Sequence, residues 1–161
     1  MYIGKDILKE NIMKNFAENR KARFEYFIEK SFEAGLMLVG SEVKAIRAGR
    51  ANIGEAYIIE RNGELLIQNA HISENSQTGS AFQHDPLRVR KILLNRKEIN
   101  EITGKLIMPG YTVAIMRLYP VGSLIKAEIA ICKGKAQYDK RQTIKDRENQ
   151  ITIQRAMKGD Y

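Results

Sequence analysis

Tryptophan is absent from the 161 residues, cysteine occurs once and histidine twice. A lone Cys132 cannot close an internal disulfide, and its apolar neighbours mark it as a buried thiol. Two imidazoles and one thiol offer no zinc-site spacing, so neither a metal nor another cofactor is expected. No apolar run approaches the ~20 residues that span a bilayer. The opening MYIGKDILKENIMKN sets charges of both signs among its apolar residues, unlike the h-region of a secretory signal. A cytoplasmic chain with no membrane partner is expected. Walker, G-x-S-x-G, H-E-x-x-H and C-x-x-C motifs are missing too, so the chain is not expected to be an enzyme. His71, in NAHIS, suits packing or a local hydrogen bond better than catalysis. His84, just ahead of Asp85-Pro86, suits stabilisation of a turn.

What the chain has in excess is positive charge. Lysine and arginine number 27 against 19 aspartate and glutamate, giving a formal +8 and a pI near 9.6. From Cys132 onward Lys133, Lys135, Lys140, Arg141, Lys145, Arg147, Arg155 and Lys158 face only Asp139, Asp146, Glu148 and Asp160. Half of the net charge therefore sits in a tail with little to bury. Further basic clusters fall at 19–23, 44–50 and 88–97. Any one of them suits a solvated face, but together on one small domain they imply a polyanionic partner, with RNA the leading choice.

Period-two alternation predicts a strand from Phe24 to Glu29, a turn at Glu33-Ala34-Gly35 and a short return strand at Leu36–Val39. Phe24 and Tyr26 could pack in the core or stack on bases. A two-turn helix follows, with Ser41 as its cap, Glu42 at its positive end and Gly49 as its left-handed stop. Asn62-Gly63 between Tyr57–Glu60 and Leu65–Gln68 predicts a type I′ hairpin. Residues 73–88 read as a long polar loop. Asn95 with Glu98 opens an amphipathic helix through Ile99, Ile102 and Leu106. Tyr111–Tyr119 and Leu124–Cys132 form a second hairpin across Pro120–Ser123. The resulting fold class is mainly β with short helices: a small barrel of the oligonucleotide-binding type at 19–133, after a weakly amphipathic lead-in at 1–18 (Ile3, Ile7, Leu8, Ile12 and Phe16). In the tail, 134–161, Thr143 and Asp146 could cap a helix, yet Ile151-Thr152-Ile153 is β-branched. Disorder in the free protein, with a helix forming on contact with RNA, is expected, against the alternative of a flexible solubility tail.

The stretches NRKARFEYFIEKSFEAGLMLVGSEVKAIRAGRANI, NAHIS, HDPLRVRKILLNRKEI, GYTVAIMRLY and KGKAQYDKRQTIKDRE resemble the small protein B family, the tmRNA-binding proteins of bacterial trans-translation. The resemblance covers about residues 19–148. It implies a non-enzymatic barrel that binds the tRNA-like domain of tmRNA. It further implies that the complex enters the vacant decoding site of a stalled ribosome and that the tail probes the empty messenger channel of the small subunit. Any elongation factor would be met only through tmRNA. Matched by position, Glu33, Leu93 and Lys126 are implied to bind the tRNA-like domain, and Asn19, Lys21 and Arg23 match the basic opening motif. Gly134, Tyr138, Asp139, Lys140, Arg141, Ile144, Lys145 and Arg147 are implied at the decoding centre and messenger channel. Phe24 and Tyr138 stand where the family often has His, and Asn149 where it has Trp. Two other readings are open: a generic single-strand RNA-binding barrel and a structural protein of the ribosome.

Overall fold

The computed structural model describes residues 15–74, 83–135 and 137–157. The expected lead-in helix falls largely outside these residues, as does the middle of the polar loop at 73–88. Seven antiparallel strands form one sheet in the order β1-β8-β9-β2-β7-β5-β4, and β3 pairs with β6 beside it. The strands are β1 (Ala17–Glu18), β2 (Tyr26–Leu36), β3 (Ala51–Asn52), β4 (Tyr57–Arg61), β5 (Glu64–Gln68), β6 (His71–Ile72), β7 (Arg90–Leu93), β8 (Tyr111–Val121) and β9 (Leu124–Gly134). Strand β4 also comes against β8, so the sheet curls back on itself into the expected barrel-like ring.

Alternation decides which way each strand faces. In β9, Ile125, Ala127, Ile129 and Ile131 point into the ring, and Lys126 and Glu128 point out. In β2, Phe32 and Ala34 enter the same core. In β8, Val113, Ile115 and Leu118 do so across a bulge between Ile115 and Arg117, which restores the facing after one extra residue. Each fully buried Ile or Leu contributes about 1.5–3 kcal/mol of transfer free energy. A smaller cluster of Ala22, Ala114, Met116, Ala130 and Cys132 lies on the outer side. It buries the thiol, as expected, and pushes its pKa upward.

Two expectations at the start of the domain fail. The strand expected from Phe24 to Glu29 begins only at Tyr26, because Arg20–Glu25 form helix α1, which the Asn19 side chain caps by accepting the Ala22 amide at 3.1 Å. Strand β2 then runs without a turn through Glu33, Ala34 and Gly35. The glycine serves a close approach: a Cβ at Gly35 would lie 3.2 Å from the Leu93 Cβ of β7.

Helix α2 (Gly40–Arg47) ends before Gly49 at φ +76° as expected, but Val39 takes the cap position instead of Ser41. The Ser41 hydroxyl is engaged elsewhere, 2.8 Å from His84 Nδ1, and Glu42 accepts the Val39 amide at 3.0 Å. Asn62 and Gly63 turn the β4–β5 hairpin with φ +53° and +78°, as a type I′ turn requires. Helix α3 (Arg96–Leu106) is capped by Asn95, which accepts the Glu98 amide at 2.9 Å, and it buries Ile102. The β8–β9 hairpin turns more tightly than expected, at Gly122-Ser123, because Pro120 and Val121 stay in the ladder opposite Ile125 and Leu124. The tail is a helix, α4 (Gln137–Met157), which starts well ahead of Thr143; its residues 144–157 are all exposed. Among the described residues, no helix is long and apolar enough to cross a membrane.

Candidate nucleic-acid interface

The ladder gathers residues that are far apart in sequence. Gly35 of β2 lies opposite Lys126 of β9 on one side and Leu93 of β7 on the other, and Lys126 lies opposite Tyr119 of β8. One cross-strand row therefore reads Tyr119, Lys126, Gly35, Leu93. The next row reads Arg117, Glu128, Glu33. Glu33, Leu93 and Lys126 thus come together from three strands on the outer face of the sheet. Gly35 has no side chain, so Leu93 lies over the gap, with its Cδ1 3.6 Å from where a Cβ would stand.

Behind this face is a polar network that orients Glu33. The Tyr119 hydroxyl donates to Glu33 Oε2 at 2.6 Å. Burial and then the Glu33 carboxylate push the phenol pKa well above its ordinary value, so it remains a donor at any physiological pH. The Arg117 guanidinium stacks on the Tyr119 ring at 4.3 Å, bonds Glu128 and donates to Asn15 Oδ1 at 3.2 Å. Glu33 is therefore an exposed carboxylate with one oxygen fixed and the other able to accept from a ribose hydroxyl or a base amino group. Lys126 makes no hydrogen bond or ion pair among the described residues, which suits a phosphate contact. Tyr119, Arg117 and Glu128 did not enter the sequence-based site. The signal for Glu128 was available in the alternation of β9 beside Lys126, and that for Arg117 and Tyr119 in the alternation of the Tyr111–Tyr119 strand, whose phase the bulge at Met116 shifts.

The basic opening motif divides. The Asn19 side chain is buried, accepting from Ala22 and donating to the carbonyls of Ile53 at 3.3 Å and Ile115 at 3.1 Å. It locks α1 to the barrel. Lys21 is exposed, bonded to Glu55 at 2.9 Å, and Arg23 is exposed on the same short helix. Asn19, Lys21, Tyr26 and Tyr57 line a cleft of about 160 Å³ beside α1. Phe24 is half-buried and Tyr26 packs against the outer cluster, so neither lies open on the face of Lys126.

At the root of the tail, Gly134 is the last residue of β9 and donates its amide to the Gly110 carbonyl at 3.3 Å. Lysines surround two aromatic rings nearby. Lys135 stands 5.0 Å from the Phe27 ring, and Lys105 and Lys133 stand 4.7 and 5.8 Å from that of Tyr111. Tyr138, Asp139, Lys140 and Arg141 lie in the first turns of α4, and their side chains are outside the described residues. Ile144, Lys145 and Arg147 are exposed further along it.

The histidines stay out of this face. His84 is buried, its Nε2 donating to the Ile72 carbonyl at 2.8 Å while Nδ1 meets Ser41, which pins the polar loop to α2. His71 is exposed in the small β3–β6 pair. Among the described residues, no group of His, Cys, Asp and Glu could hold a metal ion.

Comparison with known proteins agrees in one direction. The model of the SmpB protein family matches residues 16–159. The SsrA-binding protein of Gloeobacter violaceus is 49% identical over 149 residues, 92% of this chain and 97% of that relative. That of Geobacillus thermodenitrificans is 45% identical over 145 residues, 90% and 93% of the two chains. A solved structure described as "tmRNA-SmpB: a journey to the center of the bacterial ribosome" contains a chain similar to this one at 32% identity and a TM-score of 0.63. The match covers 79% of this chain and 92% of that one.

Proposed function

This chain belongs to the SmpB protein family, and from that premise we propose that it binds tmRNA and brings it to stalled ribosomes in trans-translation. The observation that carries the reading is the convergence of Glu33, Leu93 and Lys126 on one outer face from three strands. An acceptor, an apolar side chain and a free cation side by side suit a folded RNA whose hydroxyls, base faces and phosphates are all presented at once. We assign the tRNA-like domain to this face, with Lys21 and Arg23 as flanking phosphate contacts. The tail, from Gly134 through Tyr138, Asp139, Lys140, Arg141, Ile144, Lys145 and Arg147, goes to the decoding centre and the vacant messenger channel of the small subunit.

In this role the protein is an RNA-binding factor of the cytoplasm that catalyses nothing itself, and it meets an elongation factor only through the RNA. Its net charge of +8 speeds the encounter with RNA and makes binding weaken as salt rises. Competition at fixed salt between tmRNA and an unrelated RNA of equal length tests the reading. Strong preference for tmRNA is expected. Equal affinity would leave only a generic RNA-binding barrel, and co-sedimentation with ribosomes lacking tmRNA would point to a structural ribosomal role.

A further inference from the structure

The face of Glu33, Leu93 and Lys126 continues past the Gly35 row. Alternation puts Met37 on the outward side of the chain beyond Gly35, and its amide still donates to the Lys91 carbonyl of β7 at 3.0 Å. Leu124 shares the outward side of β9 with Lys126, and Val121, opposite Leu124, shares that of β8 with Tyr119. Four large apolar side chains are left in solvent here: Leu124 is 57% exposed, Met37 54%, Leu93 44% and Val121 37%. Their inward neighbours Ile92 and Ile125 belong to the core, so the strip itself contributes little to it. Contiguous apolar surface of this kind marks a contact site.

What surrounds the strip says what covers it. Lys126 borders it on one side. On the other, the exposed Arg47 donates to the Ser123 carbonyl at the hairpin turn at 2.8 Å. An apolar floor with cations at its rim and Glu33 close by matches nucleotides whose bases are turned out and whose phosphates lie at the edge. We propose that Leu93, Met37, Leu124 and Val121 form a platform for unpaired bases of a looped RNA segment, extending the RNA face from Lys126 to the tip of the β8–β9 hairpin. This rests on the reading of Glu33, Leu93 and Lys126 as the RNA face.

The two kinds of contact separate by their response to salt. An apolar contact with a base neutralises no phosphate and releases no counterion, whereas Lys126 does both. Affinity of the full chain for tmRNA, measured across a salt series, provides the test. Leu124→Ser should weaken binding about fivefold or more and leave the slope of log affinity against log salt unchanged. Lys126→Ala should weaken binding and flatten that slope by about 0.7–0.9. Met37→Ser should reproduce the Leu124→Ser signature, and Leu124→Trp should bind at least as well as the parent. Circular dichroism checks that each variant is folded.

If Leu124→Ser and Met37→Ser both keep full affinity while Lys126→Ala flattens the slope, the platform is wrong and the RNA face stands. If Lys126→Ala changes nothing either, both fall. If the serine variants bind RNA normally but lose peptide tagging, the strip meets a protein, and the proposal is overturned.

Discussion

A carboxylate sealed from water needs each of its oxygens taken, and Glu42 meets that condition fully. One oxygen accepts from Arg88 Nε at 3.1 Å and from the Val39 amide at 3.0 Å, and the other accepts from Arg90. Burial alone would raise its pKa. The bonds from Arg88, Val39 and Arg90 outweigh burial and hold it below its ordinary value of 4.5. The Arg90 guanidinium, itself buried, also donates to the carbonyls of Ala70 at 2.7 Å and Pro86 at 3.2 Å, so the triad ties α2 to β7 and the polar loop. Glu42→Gln should cost about 3–5 kcal/mol, because the buried Arg90 loses its counter-charge where water cannot replace it; urea unfolding measures this. Since the folded pKa lies below the unfolded one, the contribution is fully present above pH ~4.5 and lost as pH falls through the folded value. The stability gap between parent and variant should therefore close on acidification. From sequence, Glu42 could be read only as a helix-start charge, because its partners stand 46 and 48 residues away. At Tyr119, Phe would keep the ring under Arg117 but remove the bond to Glu33. Tyr119→Phe should lower tmRNA affinity by about 1 kcal/mol while tagging at saturating protein and the melting temperature change little. Filter binding beside thermal unfolding checks both.

Elements whose signal is local were legible in the sequence. Asn62-Gly63 fixed a hairpin, Asn95 a helix start, Gly49 a helix end, and the alternation of β9 its inward face. Elements settled by a distant neighbour were not. Glu33-Ala34-Gly35 has the composition of a turn, yet it is the middle of an eleven-residue strand paired to β9 and, at its far end, to β7. Phe24 continues the alternation of the strand that follows it, yet Asn19 closes a six-residue helix over that stretch. The candidate site follows the same rule: Glu33, Leu93 and Lys126 were found by resemblance, and their adjacency is a product of register that no local pattern encodes. Gly35 is the hinge of that adjacency, because it lets β7 and β2 approach. The Leu93 Cβ facing it is fixed to a strand backbone and cannot swing aside as a flexible side-chain tip would. Gly35→Ala, with its new Cβ 3.2 Å away, should therefore destabilise the barrel by about 1–3 kcal/mol. It should also lower tmRNA affinity by displacing Leu93, as urea midpoints and binding isotherms would register.

The molecule as a whole joins a body held by its core to a helix that has little core to hold it. Helix α4 covers 21 residues, a rod of about 30 Å, and from Ile144 to Met157 it exposes every side chain. Ile144 and Ile151 share a face, but nothing among the described residues buries them. A helix without a packed face depends on local propensity, and the β-branched Ile151-Thr152-Ile153 lowers that further. We expect α4 to melt in the free protein and to be restored by the counter-charge of the ribosome's RNA. Far-UV circular dichroism of the full chain should then exceed that of a chain ending at Tyr138 by far less than the 19 helical residues from 139 to 157 would give. Tyr138 is a suitable end because β9 closes at Gly134 and the Lys135 amide still donates to the Glu25 carbonyl at 3.1 Å. Removing residues 139–161 thus leaves every sheet pairing and the whole outer face intact. It takes away Lys140, Arg141, Lys145, Arg147, Arg155 and Lys158 against all four acids of the tail, a small change in net charge. Long-range attraction for tmRNA should therefore hardly fall, and binding should stay within about twofold, less than 0.5 kcal/mol. Peptide tagging in a reconstituted system, with messenger truncated in the decoding site, should be abolished. A parallel loss of RNA affinity and tagging would mean that the tail helps grip the RNA, and the separation of body from tail would fail.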